Sequence, residues 1–145
     1  MGTVSPGYYV IFSKQGSNTC IGLDSSNNLC LQTFDATKSA TTWLVEPAAG
    51  SDGFYLQHED TGYCPHFGQD GSMPCASLDP NNTEYVIMAD DVGDGYVAIN
   101  NHDRSRVFDA KGAKNSVGTA IIPFRWNGND NQKWRFTPTA ALNTP

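Results

Sequence analysis

Ile121-Ile122-Pro123-Phe124-Arg125-Trp126-Asn127-Gly128-Asn129-Asp130-Asn131-Gln132-Lys133-Trp134 is the stretch that decides how this chain reads. It begins as a strand, passes through a polar Asn-Gly turn, and ends in a Gln-x-Trp that starts another strand. Asp109 lies a short loop upstream. A carboxylate, an aromatic face and a pair of amides therefore fall within one local segment. Echoes of the ending, without those polar groups, occur twice earlier in the chain.

Three segments open alike: Gly7-Tyr8-Tyr9-Val10-Ile11, Gly53-Phe54-Tyr55-Leu56-Gln57 and Gly95-Tyr96-Val97-Ala98-Ile99. Three also close alike: Thr41-Thr42-Trp43-Leu44-Val45, Thr83-Glu84-Tyr85-Val86-Ile87 and Gln132-Lys133-Trp134-Arg135-Phe136. The linkers agree, with Ala49-Gly50-Ser51-Asp52 before the second opening and Val92-Gly93-Asp94 before the third. A fixed period of this kind marks a repeat architecture. The repeats span approximately 7–48, 53–91 and 95–138, within a single domain covering 1–145. Turn signals fall about every dozen residues, the spacing of sandwiches and barrels, and no segment keeps a helical period. The reading is all-β, with about four strands per repeat and pseudo-threefold symmetry. Each repeat is too small to bury its own apolar face, so the three share one core. Trp43, Tyr85 and Trp134 are the expected shared core residues.

The 145 residues carry a formal charge of −6, with 17% charged and 39% hydrophobic residues. Scattered Lys and Arg give no basic surface for nucleic acid or for an anionic membrane. No apolar run approaches a membrane span of about 20 residues, so no membrane insertion is expected. The N-terminal Met1-Gly2-Thr3-Val4-Ser5-Pro6 has neither a basic flank nor an apolar signal segment. A cytoplasmic protein, one secreted unconventionally, or a mature form is expected. Cysteines 20, 30, 64 and 75 form two close pairs. Two hairpin-bridging disulfides and four buried thiols are both compatible with that spacing. Cys64, His66 and Cys75 lack zinc-site spacing. The Asp90-Asp91-Val92-Gly93-Asp94 run lacks the ligand order of a calcium loop and reads as a connecting turn. No nucleophile–base pair, phosphate loop or cofactor motif is recognisable, so neither catalysis nor a cofactor is expected. His58, His66 and His102 read as solvated or turn residues.

Three repeats of this length, each ending at a Gln-x-Trp position, resemble the ricin B-chain type of β-trefoil lectin. Phe108-Asp109, Phe124 and Asn131-Gln132-Lys133-Trp134 carry the likeness most fully. The repeat pattern spans almost the whole chain, and its specific part is roughly the last forty residues. In size the chain looks most like the stand-alone β-trefoil lectins of fungi, a group with defence roles. The resemblance implies a six-stranded barrel capped by three hairpins, with up to three shallow sugar sites. It implies glycans of glycoproteins or glycolipids as partners, of the galactose or N-acetylgalactosamine type.

The residue chemistry is consistent with that. A sugar presents neighbouring hydroxyls and one apolar C–H face. A carboxylate accepts from two hydroxyls at once with charge-assisted strength, and an aromatic ring covers the C–H face. Asp109 supplies the carboxylate, Phe124 the ring and Asn131 an amide donor, while the resemblance gives Gln132 the task of buttressing Asp109. Gly112 is expected to add a backbone N–H, and Trp126 and Asn127 to line the rim. Phe124 stacks but has no donor of its own. Trp134 reads as structural. Aligned on the closing aromatics, repeat one places Thr33 at the ring position, Ala40 at the amide, and Ile21 or Gly22 near the acid, with Asp24 close by. Repeat two places Cys75, Asn82, and Pro65 or His66. Both are expected to be degenerate. One good site per chain gives little crosslinking, so a homodimer is expected. A reading of another class is a β-trefoil protease inhibitor acting through exposed loops.

Overall fold

The computed structural model describes residues 4–16 and 18–142. Within them lie twelve strands. Repeat one holds β1 (Gly7–Ser13), β2 (Thr19–Leu23), β3 (Leu29–Thr33) and β4 (Trp43–Pro47). Repeat two holds β5 (Phe54–His58), β6 (Cys64–Pro65), β7 (Cys75–Ala76) and β8 (Met88–Gly93). Repeat three holds β9 (Tyr96–Asn100), β10 (Val107–Ala110), β11 (Ile121–Phe124) and β12 (Trp134–Pro138), and a short helix, α1 (Thr139–Leu142), follows.

The first and last strands of each repeat build a barrel. β1 pairs with β12 and β4, β4 with β5, β8 with β9, and β9 with β12, all antiparallel. The ring closes between β5 and β8 through one bridge, where Phe54 and Ile87 exchange N–H···O bonds of 2.9 and 2.8 Å. The middle strands form three hairpins, β2–β3, β6–β7 and β10–β11. These cap one end and bond to one another: Leu29 N donates to Met73 O, and Leu31 N to Thr119 O. A six-stranded barrel with three capping hairpins is a β-trefoil, as the family resemblance implied.

The turns follow their residues. In the β2–β3 turn the Asp24 carboxylate accepts from the N–H of Ser26 and Asn28, and Asn27 takes the left-handed φ of 63° that Asn tolerates. Asp24 is thereby committed to its own turn. The Asp-rich run, expected to be a connecting turn, is mostly strand: Asp90 to Gly93 end β8, and only Asp94 with Gly95 forms the turn into β9, with Gly93, Asp94 and Gly95 all at positive φ. Its Asp90 is held bidentately by Arg104 at 2.8 and 3.0 Å.

The shared core contains Ile11, Trp43, Leu56, Ile87, Ile99 and Trp134 from the barrel, continued by Leu31, Met73, Phe108 and Ile121 from the caps. Trp43 and Trp134 are fully buried and open β4 and β12. Tyr85 is also buried, but it sits in a 3-10 turn (Thr83–Tyr85) ahead of β8. The four cysteines are buried free thiols. Burial pushes Cys20 and Cys64 up to about 11 and Cys75 higher still.

Gly53 marks the most constrained point of closure. A Cβ there would lie 2.6 Å from Val86 Cγ1 and 2.7 Å from Ile87 O, the carbonyl that accepts from Phe54. Overpacking of this kind costs about 1–3 kcal/mol. Gly53→Ala is expected to lower the urea midpoint accordingly, and an unchanged midpoint would show that Val86 and Ile87 give way to the added methyl without cost.

Candidate functional site

In β10 the side chains alternate: Phe108 enters the core and Asp109 points to the opposite face. β11 pairs Asp109 with Ile122 and Val107 with Phe124. Phe124 is therefore a diagonal neighbour of Asp109 on the same face of the hairpin. After β11 the chain loops back through a 3-10 turn, Asp130–Gln132, before Trp134 re-enters the barrel. This turn sets two amides against Asp109.

Asp109 Oδ1 accepts from Asn131 Nδ2 at 3.0 Å, and Oδ2 accepts from Gln132 Nε2 at 2.8 Å. Each amide also donates its second hydrogen to a backbone carbonyl: Asn131 to Ala110 O and Gln132 to Arg125 O. Gln132 Oε1 accepts from Asn127 N at 2.7 Å, so this one side chain fixes the loop from Arg125 to Asn127. The cluster is largely closed off, with Asp109 4%, Asn131 5% and Gln132 0% exposed. Burial raises the Asp109 carboxyl above the ordinary aspartate range, against the smaller opposing effects of its bonds to Gln132 and Asn131.

The buttressing expected of Gln132 is seen, and Asn131 shares it. The donor role expected of Asn131 needs correction, because both of its Nδ2 hydrogens are engaged. Only its Oδ1, buried and without a hydrogen-bond partner among the described residues, has capacity left, and that capacity is to accept. A flipped amide would turn that oxygen toward the carboxylate and is excluded by charge.

The remaining expected residues surround the cluster. Phe124 is 41% and Trp126 45% exposed. Trp126 stands beside Gly128, whose φ of 80° turns the loop. Asn127 is spent on its own turn, its Oδ1 accepting from Asn129 N. Gly112 takes a φ of 69° in a 3-10 turn (Lys111–Ala113) that packs against the Asp130–Gln132 turn. Gln15 Nε2 and Asn115 Nδ2 bond across to Lys114 O and Gln15 O, tying this turn's loop to repeat one. A depression of about 570 Å³ borders Phe124. It opens toward Asp70, Gly71, Arg106 and Arg125 and does not include Asp109.

The other repeats differ in the polar layer. Trp134 Nε1 donates to Phe108 O, and Trp43 Nε1 to Ile21 O, which makes Phe108 and Ile21 equivalent. The acid position of repeat one is therefore Gly22. The ring position, opposite Cys20 as Phe124 is opposite Val107, is Gln32 rather than Thr33. The alignment slips by one because β3 runs one residue past the paired position, to Thr33, whereas β11 ends on it at Phe124. Gln32 lies over Gly22, where a Cβ would come within 2.6 Å of its Cγ, and its amide donates to Leu23 O. A depression of about 750 Å³ is found beside it, lined by Phe34, Asp35, Lys38 and Thr41 among others. In repeat two, Asn82 caps its own 3-10 turn. His58, expected to be solvated, is 4% exposed, bonded to Thr61 Oγ1 and Ala40 O, and tilted against Trp43 at 4.9 Å. Only a position at the end of a strand hinted at this. Among the described residues no three His, Cys, Asp or Glu side chains are grouped to hold a metal.

Residues 81–143 match the family model described as ricin-type beta-trefoil lectin domain-like. No curated protein matches the sequence. Among solved structures the chain is similar to a mosquitocidal holotoxin, with a TM-score of 0.84 and 20% identity over 94% of this chain; it spans 17% of the holotoxin's length. It is similar to the Rhizoctonia solani agglutinin, with a TM-score of 0.77 and 19% identity over 94% of this chain and 97% of that one. The designed threefold symmetric protein ThreeFoil gives a TM-score of 0.79 and 19% identity over 90% and 98% of the two chains. At these identities the structural likenesses establish the β-trefoil fold.

Proposed function

We propose that this β-trefoil, whose residues 81–143 carry the ricin-type lectin-like pattern, is a carbohydrate-binding lectin that works without catalysis. Its main site is in the third repeat, and its ligands are glycans of the galactose or N-acetylgalactosamine type. The carrying observation is the Asp109 carboxylate, held by Asn131 and Gln132 beside the exposed Phe124 ring. Each carboxylate oxygen has one bond from an amide and retains capacity for one more. Two neighbouring sugar hydroxyls would fill it, and the sugar's C–H face would cover Phe124. Gly112, Trp126 and Asn127 lie on the loops that would border the ligand. A homodimer would bring two such sites together and raise avidity, and sedimentation equilibrium reads that state directly.

A glycan array probed with wild type and Asp109→Ala tests the reading. Wild type is expected to mark galactose- and N-acetylgalactosamine-terminated glycans, and the variant to lose them. A silent array combined with protease inhibition by the wild type would replace the lectin reading with the inhibitor one.

The site also carries a pH signature. The ionised carboxylate is the form that accepts two hydroxyls, and burial has raised its pKa. Affinity is therefore expected to be full above that raised value and to fall as pH drops through it, earlier in acidification than for an ordinary aspartate. Because the ligand favours the ionised form, binding near this pH releases protons. Isotherms collected at a series of pH values check this, and affinity flat down into the ordinary aspartate range would remove Asp109 from the contact.

A further inference from the structure

The depression beside Phe124 is unlike the rest of this acidic chain. Arg106 immediately precedes β10 and Arg125 immediately follows β11, and the neighbouring pair Val107–Phe124 is in register. The two arginines thus flank the open end of the hairpin. Both line the same depression, facing Asp70 and Gly71 from the neighbouring repeat. One N–H of Arg106 bonds to Asp70 Oδ1 at 2.6 Å. The Asp70 carboxylate is 82% exposed, so this pair is weakly held. No hydrogen bond or ion pair engages the Arg125 guanidinium among the described residues. Among the residues lining this depression two guanidinium groups face one carboxylate, and Glu84 adds a more distant negative charge on the Arg106 side, so the uncompensated cation is Arg125, in a chain of net charge −6. The unused N–H groups form planar forks suited to a carboxylate or sulfate. Phe124 borders both this cleft and the face that carries Asp109.

We propose that the cleft between Arg106 and Arg125 is an acidic-sugar subsite, which takes the carboxylate or sulfate of the residue next to the one stacked on Phe124. It rests on the lectin reading and adds a preference for anionic glycans that Asp109 alone would not produce. Asp70 acts as an internal competitor: it occupies part of Arg106 until the ligand's anion arrives.

The test uses three disaccharides that share one galactose: a neutral form, a form with glucuronic acid in the second residue, and a form with a sulfate ester there. Calorimetric titration of the wild type is expected to show the two acidic forms binding about fivefold or more tighter than the neutral one, as one to two semi-exposed charge contacts supply. The preference should shrink as salt is added. Arg125→Gln is expected to abolish it while leaving neutral binding unchanged, and Asp70→Asn to enlarge it by freeing Arg106. Equal binding of neutral and acidic forms by the wild type overturns the subsite and leaves the lectin reading standing. Equal loss of neutral and acidic binding in Arg125→Gln also overturns it, and no binding of any form removes both readings together.

Discussion

Asp109→Ala folds normally and loses sugar binding by about 100-fold or more. The two halves of that expectation have separate causes. A hydroxyl bonded to a charged acceptor contributes about 1.5–3 kcal/mol, and two such bonds exceed the roughly 2.7 kcal/mol that corresponds to 100-fold. Shallow sugar sites start from weak affinity, so the loss reads as absent binding. Folding survives because neither amide is stranded. Asn131 keeps Ala110 O, and Gln132 keeps Arg125 O and Asn127 N. Removing a carboxylate whose pKa is raised by burial also relieves a desolvation cost, which offsets the two lost bonds. Urea unfolding is expected to place the variant within about 2 kcal/mol of wild type. Asp109→Asn is the harsher change, because its amide would set N–H against the N–H of Asn131 or Gln132. A well-folded Asp109→Ala with full binding would contradict the third-repeat site.

Trp134→Ala has the opposite profile, a large loss of stability with no direct ligand contact. Trp134 is fully buried in the shared core, and truncating a buried aromatic to alanine costs about 3–5 kcal/mol. Its indole N–H also holds Phe108 O at 3.2 Å, and Phe108 is the residue that orients the Asp109 strand. Domains of this kind have about 5–15 kcal/mol in total, so about a fifth of the stability or more disappears. Denaturant unfolding of Trp134→Ala beside Trp43→Ala checks this. Both are expected to fall together, because Trp43 makes the equivalent bond to Ile21 O. A cost under about 1 kcal/mol at either position would mean that the indoles are not the frame of the repeat.

Most of the fold was legible because its signals repeat. The Gly-aromatic openings became β1, β5 and β9, and the closing aromatics Trp43 and Trp134 became buried strand starts. The second repeat was harder to read. Its hairpin has only two residues per strand, and Tyr85 sits in a 3-10 turn, so pattern and element parted there. The grouping of Asp109, Asn131 and Gln132 was also legible, since side chains about 23 residues apart meet where the β10–β11 hairpin lies against the turn before β12. How each amide spends its hydrogens was not, because that depends on which backbone carbonyls face it. Asn131 consequently turned from ligand donor into buttress. The one-residue slip from Thr33 to Gln32 has the same origin, as register is set by strand pairing and not by counting back from the tryptophan. The free, buried thiols settle in the structure an alternative that spacing had left open.

The central claim is that the third repeat holds the sugar. An NMR titration of isotope-labelled wild type with N-acetylgalactosamine tests it most directly. The predicted result is saturable shifts at the Asn131 and Gln132 side-chain amides and at the backbone of Asp109, Gly112, Phe124 and Asn127, with residues around Phe34 and Asp35 unmoved. Shifts confined to that first-repeat depression, or none at all, would contradict it.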